Sequence, residues 1–281
     1  MKKFLAVFDG YNLSKSTLNY AINLAQVADA HLVGVFLEEF NYRSYNVIKV
    51  MKTNTNYEKV MKELDAKDKL KRDEAAKLFE KECSKAGIHF SIRRDKGIAI
   101  LDLKKESMYA DLIVINELET FTKYKQESPT RFLKDLLADV QCPVFVVPEK
   151  FQTLQKIVLL YDGGPSSIYA IKMFSYLFGN FMDLPVEIFT VKDNYYMATT
   201  RVPGNKLLRE FIKRHFPKAT YTVVKGSPED QIIGHLRNHK ENELVVLGAY
   251  RRSELSRIFK TSMADTLMKE LDVPLFIAHN K

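Results

Sequence analysis

The stretch FLAVFDGYNLSKSTLNYAINLA, Phe4–Ala25, returns later in the chain as IVLLYDGGPSSIYAIKMFSYLF, Ile157–Phe178. Each is a short apolar run that ends in Asp-Gly, passes through a polar turn and enters an apolar pattern of helical period. Asp9 and Asp162 correspond, at an offset of 153. The rest of each unit repeats as well. ADLIVIN from Ala110 matches NELVVLG from Asn242, which pairs Asn116 with Gly248 at an offset of 132. CPVFVVP from Cys142 matches VPLFIAH from Val273, and Pro143 and Pro274 lie 131 apart. The falling offset means that the first copy carries extra sequence in its middle. The Lys- and Glu-rich stretch Tyr57–Lys85 is the obvious place, as a helical hairpin arm or lid over the first site.

Repetition at this period means duplicated domains rather than a solenoid, because each copy is long enough to bury its own core. The expected domains are 1–150, with a charged helical insertion at about 40–87, and 151–281. Pro148–Lys156 is a polar connection too short to separate them widely. They are expected to pack on each other with pseudo-two-fold symmetry, as two single-domain chains would in a dimer.

Within the second copy the patterns predict strand 156–161, helix 166–179, strand 185–191, helix 204–215, strand 220–224, helix 228–239, strand 243–247, helix 261–271 and strand 274–278. Strands such as Leu244–Leu247 are apolar throughout, as strands buried on both faces must be. Alternating strands and helices predict an α/β fold: two tandem doubly wound parallel sheets of five strands each. Ligands of such sheets sit outside the carboxyl ends of the strands. Asp9, Asp162 and Gly248 fall at that edge.

Composition narrows the functional classes. Of 281 residues, 46% are hydrophobic and 28% charged, with 11 Gly and 9 Pro, which suits a globular chain without long disordered linkers. The net charge is +8, split as +3 over residues 1–150 and +5 over 151–281, so no basic tail exists. There is no nucleic-acid module signature and no Trp, which argues against nucleic acid as partner. Cys83 and Cys142 have neither metal-ligand nor CxxC spacing, consistent with a reducing cytoplasm. The start, MKKFLAVFDG, is too briefly apolar for a signal peptide, and no window approaches a membrane span. A cytoplasmic protein is expected. HExxH, GxSxG and GxxxxGK[ST] are absent, and His235 and His239, although at i, i+4 spacing, have no evident third ligand.

The segment after the fourth strand of the second copy reads GAYRRSELSRIFKTS, Gly248–Ser262, followed by MADTLMKELDVPLFIA. With the Asp-Gly strand ends, it resembles the universal stress protein family over essentially the whole chain, twice. ATP-binding members of that family show Gly, two residues, Gly, nine residues, Gly, then Ser or Thr. Here Gly248, Arg251, Thr261 and Ser262 keep that spacing, with two of the three glycines replaced. The resemblance implies a non-catalytic stress-response or regulatory protein that binds ATP, with Mg2+, in the second copy only. It implies that Asp162, with Gly163 beside it, holds the adenine and ribose end, and that Val191 at the second strand end lies beside the adenine.

The residues themselves leave alternatives open. A phosphate loop needs exposed N–H groups and close approach, so Gly248 would give room. Thr261 and Ser262 at a helix N-terminus could face a phosphate or simply cap the helix. Arg251 could fill the phosphate space or bind the phosphate. Asp162 could touch ligand or form an Asx turn. In the first copy Asn116 and Glu119 stand at the first two glycine positions, with Pro129 and Thr130 near the third, and a carboxylate there repels phosphate. Two other functions remain: a nucleotide-independent interaction scaffold, working by dimerisation or docking, and an adenine-nucleotide hydrolase or ligase. The second needs a Gly- and Ser-rich loop, which DGYNLSKS and DGGPSS only weakly resemble.

Overall fold

The computed structural model describes residues 1–11, 13–39, 44–53, 56–122, 124–179, 183–192, 205–238, 242–248 and 262–280. The N-terminal half runs β1 (Lys2–Phe8), α1 (Lys15–Ala28), β2 (Ala30–Glu39), α2 (Val47–Thr53), α3 (Tyr57–Ala86), β3 (Phe90–Gly97), α4 (Ala99–Ser107), β4 (Leu112–Asn116), α5 (Arg131–Asp139) and β5 (Val144–Val147). The C-terminal half runs β6 (Lys156–Leu160), α6 (Pro165–Leu177), β7 (Val186–Lys192), α7 (Asn205–His215), β8 (Thr220–Lys225), α8 (Pro228–Asn238), β9 (Glu243–Gly248), α9 (Met263–Glu270) and β10 (Leu275–Ala278). The strands fall within a residue or two of the sequence expectation.

All ten strands form one sheet in the order β3-β2-β1-β4-β5-β10-β9-β6-β7-β8. Within each half every pairing is parallel, and the two orders mirror each other. Only β5 and β10 pair antiparallel, Phe145 opposite Phe276. The fold is therefore α/β and doubly wound, but the expected pair of five-stranded sheets is joined edge to edge into one. The reason lies in β5 and β10 themselves. VFVV and LFIA are buried at every position, and an apolar edge strand of that kind must be covered.

Two apolar layers flank the sheet. On one face Phe4, Phe145, Phe174, Phe178 and Phe276 form a core that crosses the seam between the halves. The connection 148–155 also packs down: Gln152 N donates to Tyr20 Oη at 3.2 Å, and the Phe151 ring meets that of Tyr20.

The extra sequence of the N-terminal half departs from expectation. Tyr57–Lys85 is not itself a hairpin but lies within a single 30-residue helix, α3, preceded by the short α2. Its C-terminal part is core rather than insertion. Ala75, Ala76, Phe79 and Cys83 form a buried stripe of helical spacing inside the charge run. The N-terminal part of α3 reaches back to the end of β1.

Candidate functional site

Both Asp-Gly pairs make the same turn from strand into helix. Asp9 Oδ1 accepts from Tyr11 N at 2.9 Å, and Asp162 Oδ1 accepts from Gly164 N at 2.8 Å. Gly10 and Gly163 take the left-handed conformation between, at φ 79° and 87°. These are Asx turns in which only glycine is unstrained at the second position. Asp162 Oδ1 also accepts from Ser167 Oγ at 2.7 Å, tying down the first turn of α6.

Gly248 ends β9. A Cβ there would stand 2.4 Å from the carbonyl carbon and oxygen of Ser166 and 2.7 Å from Ser167 N. The sequence reading made this glycine room for a phosphate. The side a Cβ would take is occupied by the backbone of α6, which packs directly on the strand end, while Gly248 also borders the cleft described below.

Ser262 is the N-cap of α9, its Oγ accepting from Asp265 N at 3.0 Å. The helix therefore begins at Met263 instead of 261. Arg251 and Thr261 lie outside the described residues, as do all of 249–261 and His239.

A cleft opens at the carboxyl ends of β6, β7 and β9, with about 610 Å³ of empty space including its mouth. Phe189, Val191, Ile232, Leu247 and Met263 give it apolar walls, and Asp162, Ser166 and Ser167 give it a polar side. Of the residues singled out from sequence, Asp162, Val191 and Gly248 line it together; Gly163 and Ser262 do not. The cleft lies beside β6, where the strand order reverses direction, the usual ligand position in open α/β sheets.

Sequence reasoning missed what supports the apolar wall. His235 stacks on Phe189, ring centroids 4.2 Å apart, and its Nε2 lies 3.0 Å from Glu187 Oε2. Lys156 Nζ bridges Glu187 at 2.9 Å and Glu243 at 3.0 Å. Burial of Glu187 raises its pKa, but hydrogen bonds from Thr222, Lys156 and His235 overcome this and bring it down to about 2. The signal in the sequence was a charged residue set into each apolar strand run: Lys156, Glu187 and Glu243.

The N-terminal half is built differently at the equivalent place. Asn116 stands where Gly248 stands in the other half; its Oδ1 accepts from Leu118 N at 2.9 Å and its Nδ2 donates to Pro148 O at 3.3 Å. A polar cleft of about 1180 Å³, mouth included, separates α1 from the loop after β4. Glu119 lies in it, accepting from Thr120 N and Phe121 N. Burial, and next the Asp9 charge, hold the Glu119 carboxyl well above the usual range. Burial also pushes Glu117 up to about 7, against the hydrogen bond from Ser128. Thr130 caps α5 by accepting from Leu133 N.

The long helix closes the other side of the first turn. Arg72 lies over the Tyr11 ring at 4.4 Å and pairs with Glu38 at 2.8 Å, while Asp68, buried, accepts from Tyr11 Oη at 3.2 Å and Ser44 N at 3.1 Å.

An open doubly wound sheet with a cleft at its carboxyl edge defines a doubly wound α/β protein with its ligand position at the strand ends. Comparison with known proteins narrows this. The chain is similar to a universal stress protein of Synechocystis sp., 23% identical over 170 residues, which are 59% of this chain and 56% of that protein. The match thus spans little more than half the length of that relative. In structure it is similar to a universal stress protein of Archaeoglobus fulgidus, with TM-score 0.68 at 13% identity over 99% of this chain and 98% of that one. It is also similar to a functionally unknown protein of Pseudomonas aeruginosa, with TM-score 0.61 at 13% identity over 99% and 92%. No protein-family model matches the chain. The chain is thus similar over part of its length to a universal stress protein in sequence, and its fold is like that of a solved universal stress protein.

Proposed function

We propose that this chain is a non-catalytic, tandem universal stress protein in which the cleft of the C-terminal half binds an adenine nucleotide and the N-terminal half does not. The observation that carries the reading is the cleft beside β6. Apolar walls with a few polar groups on one side suit a flat heteroaromatic base. Asp162 and Val191 stand there at the strand ends assigned to the adenosine end. The resemblance assigns the phosphates to the motif residues Arg251, Thr261 and Ser262, of which Ser262 caps α9, with Mg2+ as their counter-ion. Among the described residues no group of His, Cys, Asp and Glu is arranged to hold a metal by itself. In the N-terminal half the Asp9 charge, which already works against ionisation of Glu119, opposes a polyphosphate at short range.

Residence in a reducing cytoplasm fits the two cysteines. Both are buried, and burial pushes each thiol up to about 12, where it is unreactive. No helix among the described residues is long and apolar enough to cross a membrane. Homodimer formation belongs to the same proposal and is read by sedimentation.

One observation favours a second reading, a nucleotide-independent scaffold. Asp162, Gly248 and Ser262 are each engaged by local structure, as turn, packing contact and cap. Thermal unfolding with ATP, ADP and AMP, with and without Mg2+, decides. A saturating nucleotide at 100 times its Kd raises stability by about 2.7 kcal/mol. Val191→Trp, which fills the cleft, removes the shift, and Asp9→Asn leaves it. Absence of a shift with every nucleotide establishes the scaffold instead, and multiple turnover of ATP establishes an enzyme.

A further inference from the structure

β8 is an edge of the ten-stranded sheet and pairs on one side only, with β7. Its sequence, TYTVVK, is β-branched or aromatic up to the final lysine, and its four central residues are half-buried. The parallel pairing sets Val224 opposite Val191 and runs one step past the strand, where Gly226 N donates to Lys192 O at 3.0 Å. In a parallel ladder the residues in phase with Gly226 turn N–H and C=O toward the neighbour, and those between turn both away. Thr220, Thr222 and Val224 therefore pair with β7, while the backbone groups of Tyr221, Val223 and Lys225 point outward. These outward groups have no hydrogen-bond partner among the described residues.

Such an edge is a template for another strand unless charge blunts it. β3, the matching edge of the N-terminal half, is blunted: FSIRRDKG carries Arg93, Arg94 and Lys96, with Arg94 paired to Asp73 at 2.5 Å and Arg93 to Glu106. β8 has no charge before Lys225. Cations stand beside it instead. The Arg209 guanidinium of α7 lies over the Tyr221 ring at 4.7 Å. Lys206 and Lys213, at i−3 and i+4 from Arg209, share that face of the helix. Glu210, the acid of α7, is turned to Arg214 at 3.1 Å. Lys218 and Lys225 stand at the two ends of the strand. Lys206, Lys213, Lys218 and Lys225 are exposed and have no carboxylate partner among the described residues.

Any polyanion meets the charges, but only a polypeptide offers N–H and C=O at the strand repeat to the outward backbone groups. A second copy of this edge brings the same cations face to face, which disfavours self-pairing. We propose that β8 takes an additional strand from an acidic, extended segment of a partner protein, its backbone on Tyr221, Val223 and Lys225 and its carboxylates beside Lys206, Arg209 and Lys213. The surface is separate from the nucleotide cleft and stands or falls independently of it.

Fluorescence anisotropy of the full chain with a labelled peptide of alternating Glu and Val tests it. The comparison probes are the peptide N-methylated at its Val residues, the same at its Glu residues, a Lys-for-Glu counterpart and a single-stranded oligonucleotide. The acidic peptide binds, and the Lys peptide binds about tenfold weaker or worse. N-methylation of one alternate set weakens binding as much, and that of the other set does not, because a strand turns only one set toward its neighbour. Val223→Pro removes an outward N–H and leaves the pairing with β7, as proline on an edge strand does, and weakens binding to a similar degree. Lys213→Glu, on the surface, serves where the proline variant fails to fold and shows the same loss. The proposal is overturned if the acidic peptide does not bind, if both N-methylated peptides or the oligonucleotide bind as well as it does, or if folded Val223→Pro or Lys213→Glu binds like the parent. It is overturned too if sedimentation shows two copies of the chain that Val223→Pro separates, since the edge is then filled by a second copy.

Discussion

Phe145 and Phe276 lie opposite each other in the antiparallel β5–β10 pair, and each is the other's counterpart in the sequence repeat. Val144 faces Ile277 and Val146 faces Leu275, so the pairing is reciprocal about the two phenylalanines. A local two-fold axis therefore passes between these rings, and each half shields the apolar edge of the other. Phe276 also meets Phe174 and Phe178, and Phe178 meets Phe4, which carries the contact across the seam. Lys2 Nζ reinforces it by donating to Leu177 O at 2.8 Å.

Truncation at this seam is expected to weaken the whole molecule. Phe276→Ala removes a fully buried ring and costs roughly 3–5 kcal/mol. Phe145→Ala falls in the same range, and the double variant is non-additive because the residues are neighbours. Urea unfolding reads all three. Loss confined to one half, seen as two separated transitions, would show that the halves fold without the seam.

The two Asx turns are expected to tolerate asparagine and not alanine. Asp162→Asn keeps an oxygen for Gly164 N and Ser167 Oγ, whereas Asp162→Ala removes both bonds and costs about 0.5–2 kcal/mol, as loss of a helix cap does. The same pair of changes at Asp9 behaves alike. Equal unfolding midpoints for the alanine and asparagine variants would contradict the turn assignment.

Gly248→Ala is expected to destabilise without any ligand present. Its methyl group meets backbone of α6, which moves only with the helix, so overpacking of about 1–3 kcal/mol follows. Denaturant unfolding of the ligand-free protein reads it. A variant as stable as the parent would restore the glycine to a purely ligand-facing role.

The α/β class was legible because the apolar runs and their Asp-Gly and Pro boundaries are local signals. What lay beyond them depended on distant contacts. The direct pairing of β5 with β10 could have been inferred from VFVV and LFIA, since an apolar edge must find a partner. Ala75, Ala76, Phe79 and Cys83 were a helical stripe, hidden by the Lys and Glu around them. The contact of Gly248 with α6 was not legible because a glycine needed for packing and one needed for ligand are identical in sequence. Nothing local in the pattern marked Ile232 or Met263 as cleft residues, because α8 and α9 bring them to β7 and β9 only in the folded chain.

The N-terminal part of α3 is expected to be held by Arg72 and Asp68. Arg72→Ala removes the ion pair with Glu38 and the contact on Tyr11; Asp68→Ala removes the acceptor for Tyr11 and Ser44. Either change loosens α2 and the first turns of α3 and leaves Phe79 in the core. Hydrogen exchange should then rise over 47–68 and stay unchanged over 75–86. A uniform rise along α3 would mean that the helix is one cooperative unit.

Two glutamates are expected to tilt the stability profile in opposite directions. Glu117 has its folded pKa raised from 4.5 to about 7, so the folded state binds the extra proton between these values. Its contribution is full below about pH 4.5 and is lost as pH rises through 7; Glu119, raised as well, adds to the same slope. Glu187 has its folded pKa lowered from 4.5 to about 2, so its contribution is present above pH 4.5 and is lost as pH falls through 2. These two groups therefore pull the urea midpoint down on opposite sides of the ordinary carboxylate value. Glu117→Gln flattens the alkaline side and gains on the parent at pH 8, because a neutral amide replaces a buried charge. Glu187→Gln flattens the acid side, since only the ionised carboxylate binds Lys156 and His235 at full strength. Unchanged slopes in both variants would place the titrating groups elsewhere in the chain.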